Sequence, residues 1–284
     1  MNLIPKGSSE LIKVGKSISI TNKLIKETES SEIMPSDDFR VSIPDLNFQK
    51  YLIEEYNIEF VDSTVAYYDI KSITEINCGK CEIQSLEGIQ FFTALMILKC
   101  WDNQITNLDL SQNKYLTSLH FPENKITSID VTNNVALTDL HCEENQLTSI
   151  DVTNNVALTD LHCQENQLTN INLAKNTALN KLWINGNYLT QLDLSENIYL
   201  GQLVCPRNRL ASINVTRNIK LTLLNCSHNR LSCLDITKNT ALTNLNCSEN
   251  QLTFLDLSNN HLLKKPTVKG NLGEWWKELE KDEE

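Results

Sequence analysis

Hydrophobic residues recur at a fixed interval over most of the chain. From residue 73 to residue 262 a segment of the form L-x-x-L-x-C-x-x-N-x-L-x-x-I returns every 21 residues, after a first copy of 22 residues. Counted from the leucine that opens each copy, such as Leu137 or Leu158, positions 4, 11 and 14 are aliphatic throughout. The polar residues on either side of position 4 predict a short, half-buried strand at positions 3–5 of each copy.

Nine such copies predict a leucine-rich-repeat solenoid, for which this spacing is typical. Its strands form a parallel sheet on the concave face, and 21 residues leave room only for extended or turn backbone on the convex face. Position 6 points into the core, and seven of its nine residues are cysteine. The full row is Cys78, Cys100, Phe121, Cys142, Cys163, Ile184, Cys205, Cys226 and Cys247. We expect these thiols to be reduced and packed as small hydrophobic groups.

Asparagine is unusually common, with 34 residues against only 8 glycines. It occupies position 9 in eight copies (Asn103 to Asn250) and position 19 in the eight full-length copies (Asn113 to Asn260). Buried amides at these positions are expected to hydrogen-bond the backbone of neighbouring turns. We also expect asparagine to take left-handed turn positions that glycine would otherwise fill.

Four segments are predicted along the chain. Residues 1–40 form an extension and linker with one possible amphipathic helix, and residues 41–72 form an N-terminal cap with a short helix after Pro44. Residues 73–262 carry the nine repeats. Residues 263–284 form a C-terminal cap, in which residues 273–279 are expected to lay aromatic side chains over the last turn, followed by an acidic tail.

The repeat, with cysteine at position 6 and a following L/I-D-L/V, resembles the bacterial cysteine-containing leucine-rich repeats of internalin J-like proteins and of gut-bacterial surface proteins. The segment IPDLNFQKYL before the repeats is similar to the cap of that family. The resemblance covers about residues 43–263. It implies a protein-recognition module, although one fold serves many partners.

The candidate binding surface is the row of outward-pointing residues at position 5, where three histidines in line end on Trp183. Acidic residues flank this row, and arginines lie beside it in later repeats. The predicted partner-binding residues are Trp101, His120, Asp139, His141, Glu143, Glu144, Asp160, His162, Glu165, Trp183, Arg207, Arg209 and Arg230. On an open, wet surface near acidic groups, we expect the histidines to protonate around pH 6–7.

Other kinds of chemistry receive less support. The histidines and carboxylates are possible metal ligands, but duplication of near-identical repeats also explains them, and no metal or other cofactor is predicted. The Cys78-Gly79-Lys80-Cys81 motif follows from the repeat, since Cys78 falls on position 6. The sequence has no nucleophile elbow, P-loop or H-E-x-x-H motif, so no catalytic residue is predicted.

We therefore expect a non-enzymatic protein that binds a protein or peptide on its concave face. The alternatives are an exported adhesin for a host glycoprotein and, with less support, a metal-dependent or thiol-dependent enzyme. The formal charge of −11 disfavours nucleic acid, and no apolar run reaches the length of a membrane span. The N-terminus lacks the apolar stretch of a signal peptide, which favours the cytoplasm or an export route without such a peptide.

Overall fold

The structure, a computed structural model, describes residues 36, 39–275 and 277. Nine short parallel strands form one sheet in this part of the chain, each paired with the strands of the preceding and following repeats. They are β3 (Glu75–Asn77), β4 (Ile97–Lys99), β5 (Ser118–His120), β6 (Asp139–His141), β7 (Asp160–His162), β8 (Lys181–Trp183), β9 (Gln202–Val204), β10 (Leu223–Asn225) and β11 (Asn244–Asn246). Each strand occupies positions 3–5, so the predicted solenoid is confirmed.

The N-terminal side of the sheet is covered by a small α+β unit. The helix α1 (Leu46–Tyr56) begins after Asp45, whose carboxylate accepts hydrogen bonds from the backbone N–H of Asn47 and Phe48. The other oxygen of Asp45 accepts from the backbone N–H of Gln84 and Ser85, at 2.8 and 2.9 Å. One carboxylate therefore both starts the helix and joins it to the first repeat.

Further short elements complete this unit. An antiparallel pair, β1 (Arg40–Ser42) and β2 (Thr64–Ala66), brackets α1, and a one-turn helix α2 (Tyr67–Ile70) follows. A 3-10 turn (Ile89–Phe91) lies in the first repeat. The sequence pattern predicts the helix α1 but not the β1–β2 pair, because three-residue strands leave too short a pattern to recognise.

The ladder of turns continues past residue 262. Thr267 pairs with Asn246 as a parallel bridge, Val268 is buried, and Asn271 makes the same bonds as the position-9 asparagines before it. Trp275 packs against this end and donates from Nε1 to the carbonyl of Leu252 at 3.2 Å. The predicted helix of residues 1–40 and the last residues of the predicted terminal helix lie outside the described residues.

Two rows of buried asparagines satisfy the backbone in the bends of the solenoid. At position 9, Asn166 Oδ1 accepts from Leu147 N at 2.9 Å, and Asn166 Nδ2 donates to the carbonyl of Cys142 at 3.0 Å. At position 19, Asn155 Nδ2 donates to the carbonyls of Val131 and Asn134, both at 2.9 Å. The expected bonding between neighbouring turns is confirmed.

The ladder asparagines do not take left-handed positions, so that expectation was wrong for the repeats; Asn57, which ends α1 with φ 54°, does take one. Positive φ recurs at position 8, where the residues are Lys80, Asp102, Glu123, Glu144, Glu165, Gly186, Arg207, His228, Glu249 and Gly270. This conformation turns the position-8 N–H toward the next turn, as when Glu144 N donates to the carbonyl of Gln164 at 3.0 Å. The inter-turn hydrogen bond offsets the strain of φ > 0, so non-glycine residues are tolerated.

All nine cysteines are free thiols. The seven at position 6 are buried, Cys81 is half-buried and Cys233, on the convex side, is exposed. Burial raises the pKa of the Cys100, Cys205 and Cys247 thiols to about 12, so these groups stay protonated and act as core side chains. Among the described residues, no helix has the length and apolar character needed to cross a bilayer.

Asn166→Ala should lower the free energy of unfolding by about 2–4 kcal/mol, because it leaves the buried Leu147 N–H and Cys142 carbonyl without partners. Urea unfolding followed by circular dichroism measures the change. The matched control is Asn170→Ala, whose exposed amide lies 3.4 Å from Thr169 Oγ1 in the same turn. Equal stability of the two variants would contradict a structural role for the ladder.

Thiol labelling of the native protein should be stepwise. Cys233 should react first and Cys81 more slowly, while the seven buried thiols should wait for unfolding, because only thiolates that reach solvent react. Mass spectrometry after timed alkylation identifies the order, and Cys233→Ser should remove the fastest phase. Disulfides between neighbouring position-6 cysteines in the purified protein would refute the reduced core.

Candidate functional site

The position-5 histidines and Trp183 form a continuous stack on the concave face. In-register pairing places His120 beside His141, His141 beside His162, and His162 beside Trp183. Successive ring centroids are 4.0, 4.1 and 4.5 Å apart, and the rings are within 12° of parallel. Parallel strands lie about 4.8 Å apart, so identical side chains on one row come to the spacing of stacked rings.

Carboxylates line one side of this stack at position 3. Asp160 Oδ2 pairs with Lys181 Nζ at 2.8 Å, and Asp160 Oδ1 lies 3.0 Å from His162 Nε2 without the alignment of a hydrogen bond. Asp139 precedes it on β6, where its carboxylate accepts from Thr138 Oγ1 at 3.3 Å. The lysine offsets part of the negative charge where the stack meets Trp183.

On the other side lie the acids at positions 7 and 8. Glu143 is half-buried, and burial raises the pKa of its carboxyl above the usual range. Glu144 and Glu165 are exposed and occupy the left-handed position of their turns. The Glu165 carboxylate lies against Gly186 of the next repeat, where a Cβ would come within 2.4 Å of it.

Trp101 does not join the stack, although the sequence grouped it with the histidines. It lies at position 7 of its repeat, against Gly79, with Lys80 Nζ 5.2 Å from the ring centroid. The predicted arginines lie in later repeats of the solenoid. Arg207 and Arg230 are exposed, and the guanidinium of Arg209 stacks on Tyr188 at 4.5 Å. The structure thus brings together the histidines, their acids and Trp183, and leaves Trp101 and the arginines at the margins.

The expected titration of the histidines was wrong, because the stack is not an open, wet surface. Burial, together with the neighbouring His141 and Lys99, lowers the pKa of His120 to about 4. Burial also lowers the pKa of His141 and of His162, partly opposed by Asp160. The imidazoles are therefore neutral at pH 7, which leaves ring nitrogens free to act as ligands or as hydrogen-bond acceptors.

Two overlapping groups of donors on this face could hold a metal ion. They are His120, Asp139 and His141, and then His141, Glu143 and His162, with the ligand atoms of each group within 4.8 Å of one another. The Cys78–Cys81 pair is placed differently. Cys78 lies in the core, and Cys81 occupies the asparagine position with its N–H bonded to Asn103 Oδ1 at 3.2 Å.

A shallow, mostly apolar depression of about 370 Å³, which was not among the sequence predictions, adjoins the end of the stack. It is lined by Trp183, Val204 and Leu223 and extends toward Lys265 and Thr267. The sequence feature that could have predicted this depression is the change at position 5 from histidine to tryptophan and then to valine. The depression gives the stack an accessible apolar end.

No protein-family model matches the chain. Internalin J of Listeria monocytogenes serotype 4b (strain F2365) is 37% identical over 106 residues, which are 37% of this chain and 11% of that protein. The solved functional domain of InlJ from Listeria monocytogenes, described as including a cysteine ladder, is 35% identical with a TM-score of 0.67. That match covers 80% of this chain and 56% of the solved one.

Internalin C2 of Listeria monocytogenes shares the fold alone. It is 22% identical with a TM-score of 0.63, over 79% of this chain and 93% of that structure. The chain thus spans about a tenth of internalin J and about half of its solved domain.

The neutral stack predicts a loss of stability in mild acid. A histidine whose pKa is lower in the folded state binds fewer protons than in the unfolded chain, so unfolding becomes easier as pH falls from 6.5 toward 4. Urea unfolding at pH 7 and at pH 5 should show this loss, and His120→Gln should reduce it. The matched control, His228→Gln in an exposed turn, should leave the loss unchanged; a larger effect from His228 would contradict the assignment.

Proposed function

Because the chain is an internalin J-like, cysteine-containing leucine-rich-repeat protein, we propose that it binds a protein segment on its concave face, with Trp183 as the central anchor. The observation that carries this proposal is the junction of the stacked row with the apolar depression. There an aromatic side chain is held against His162 at 4.5 Å and borders Val204 and Leu223. Aromatic residues in such pre-organised positions dominate binding energies.

The stack reduces the cost of ordering a binding surface. A free tryptophan or histidine side chain loses rotamer freedom when a partner immobilises it, and each such loss weakens binding. In this row every ring is already fixed by its neighbours at 4.0–4.5 Å. These side chains therefore lost their conformational entropy on folding, and a partner that binds them does not have to order them.

Charge along the solenoid favours a partner with separated charges. Residues 95–178 carry four basic and ten acidic side chains, whereas residues 200–262 carry six basic and three acidic ones. The depression begins at Trp183, between the acidic and the basic halves, and extends over the basic repeats toward Lys265. We propose a partner segment with a basic part over the acidic repeats, an apolar side chain in the depression and an acidic part over the arginines.

This surface supports binding better than catalysis. The described concave face holds neutral imidazoles and carboxylates, but the depression beside them is open and shallow, and enzyme sites generally enclose their substrate to exclude water. We therefore propose a non-enzymatic role. The negative overall charge makes nucleic acid an unsuitable partner.

A second candidate is an exported adhesin for a host glycoprotein, as the resemblance to internalin J-like surface proteins implies. The cellular location separates it from an intracellular partner-binding role. Nine free cysteines suit a reducing compartment, and on this ground we propose the cytoplasm. Fractionation of the native protein tests both.

Selection from a displayed random peptide library should yield ligands that depend on Trp183. Trp183→Ala should weaken the selected peptides by about 2 kcal/mol or more, roughly thirtyfold, because it removes the buried anchor. Titration calorimetry measures the affinity, and the convex-face control Lys238→Ala should leave it unchanged. Reversal of Arg207 and Arg230 to Glu should mainly change the association rate and its salt dependence.

Peptides that bind wild type and Trp183→Ala with equal affinity would refute the proposed surface. If Lys238→Ala alone weakened them, the convex face would be the binding surface instead. Circular dichroism of each variant establishes that the solenoid is intact before affinities are compared.

A further inference from the structure

Six buried polar atoms on neighbouring turns of the concave face make no hydrogen bond. They are His141 Nε2, Glu143 Oε2, Asp160 Oδ1, His162 Nε2, Gln164 Oε1 and Trp183 Nε1. In the described part of the chain, the other atoms of this kind are Gln90 Oε1 and the Oδ1 atoms of the position-19 asparagines. Buried polar atoms are nearly always paired, so this concentration on three rungs indicates a site that takes a ligand.

Three of the six unpaired atoms belong to side chains that could hold one ion. The ligand atoms of His141, Glu143 and His162 lie within 4.8 Å of one another. His141 and His162 are register partners on β6 and β7. Glu143 follows His141 by two residues, and the extended backbone places both side chains on the same side of the chain.

The neighbouring group of His120, Asp139 and His141 is a weaker candidate. His120 Nε2 lies 3.2 Å from Ser118 Oγ in a hydrogen bond, and the Asp139 carboxylate accepts from Thr138 Oγ1. Metal binding there would first break these hydrogen bonds. In the His141–Glu143–His162 group, His141 Nε2 and one oxygen of the Glu143 carboxylate make no hydrogen bond, and His162 Nε2 has only its 3.0 Å contact with Asp160 Oδ1.

Two imidazole nitrogens and one carboxylate oxygen form a donor set suited to zinc and similar divalent transition metals, whereas calcium and magnesium prefer oxygen alone. The ring centroids of His141 and His162 are 4.1 Å apart. Both rings must therefore rotate before the lone pairs of their nitrogens point toward one ion. The χ2 torsion of histidine has a broad energy profile, which allows the rings to rotate.

We propose that His141, Glu143 and His162 bind one divalent transition-metal ion, with zinc as the favoured metal, on the concave face. Asp160 Oδ1, 3.0 Å from His162 Nε2, is placed to become a fourth ligand. Lys181 holds the other oxygen of Asp160 at 2.8 Å and so orients this carboxylate. The evidence for this site is separate from the evidence for peptide binding at Trp183, since none of the metal ligands lines the apolar depression.

The test uses the full chain after chelator treatment and dialysis. Titration calorimetry with zinc chloride should show one saturable site per chain, and cobalt(II) should give the visible bands of a low-coordinate nitrogen–oxygen site. His141→Gln and Glu143→Gln should each weaken zinc at least about tenfold, as expected when a metal-site residue is lost. Glu143→Gln keeps the size of the side chain, so it remains informative if a histidine variant folds poorly.

Two controls locate the ion. His120→Gln should leave zinc affinity unchanged, which separates this site from the neighbouring donor group, and His228→Gln should also have no effect. A sulfur-to-cobalt charge-transfer band would place the ion on a cysteine and overturn the proposal. Absence of saturable zinc binding, or equal zinc affinity of His141→Gln and wild type, would also overturn it.

Discussion

The hydrogen-bonding needs of the bends dominate this structure. A solenoid with one three-residue strand per 21 residues leaves most of its backbone outside the sheet, and those polar groups are buried beneath the turns. The amides of the position-9 and position-19 asparagines satisfy them, as Asn166 and Asn155 illustrate. At position 9 asparagine suits the task because its one short side chain both donates and accepts, which leucine cannot do and aspartate can do only in part. At position 19 the amide only donates, through Nδ2.

These ladders keep successive turns in register, and the register determines what each face presents. Residues at one repeat position stack along the solenoid whatever their chemistry. Inside, the result is a row of small thiols that fill the narrow core. Outside, the same geometry places the rings of His120, His141 and His162 in a row, each about 4 Å from the next. An arrangement that would be improbable for three independent loops follows directly from a repeated strand.

The predictable part of the molecule is the part that repeats. The strand at positions 3–5, the core cysteines and the asparagine ladders follow from hydrophobic spacing and from the bonding capacity of each residue. The left-handed residue at position 8 could not be predicted from its composition, because Glu144, Arg207 and His228 share no turn propensity. Its cause is an inter-turn hydrogen bond. The β1–β2 pair depends on contacts outside the repeat and leaves no periodic signal.

The sequence predicted the candidate histidine row but not the protonation state of its residues. Position 5 identified the histidine row, yet the pKa of His120 depends on how the rings bury one another, which the sequence does not state. Trp101 was predicted as a flanking residue one repeat before the histidines. It lies at position 7, and its ring packs on Gly79 rather than on His120. Residues close in sequence to a row join that row only if they share its repeat position.

The proposed metal site and the proposed peptide surface meet at one side chain. His162 is a ligand in the first and the supporting ring of Trp183 in the second, with 4.5 Å between the ring centroids. An ion that rotates the imidazole toward His141 removes part of the support under Trp183, and a peptide that fixes Trp183 resists that rotation. Linkage requires the two effects to be equal in free energy. The stack therefore couples the proposed metal site to the proposed peptide surface through one shared imidazole ring.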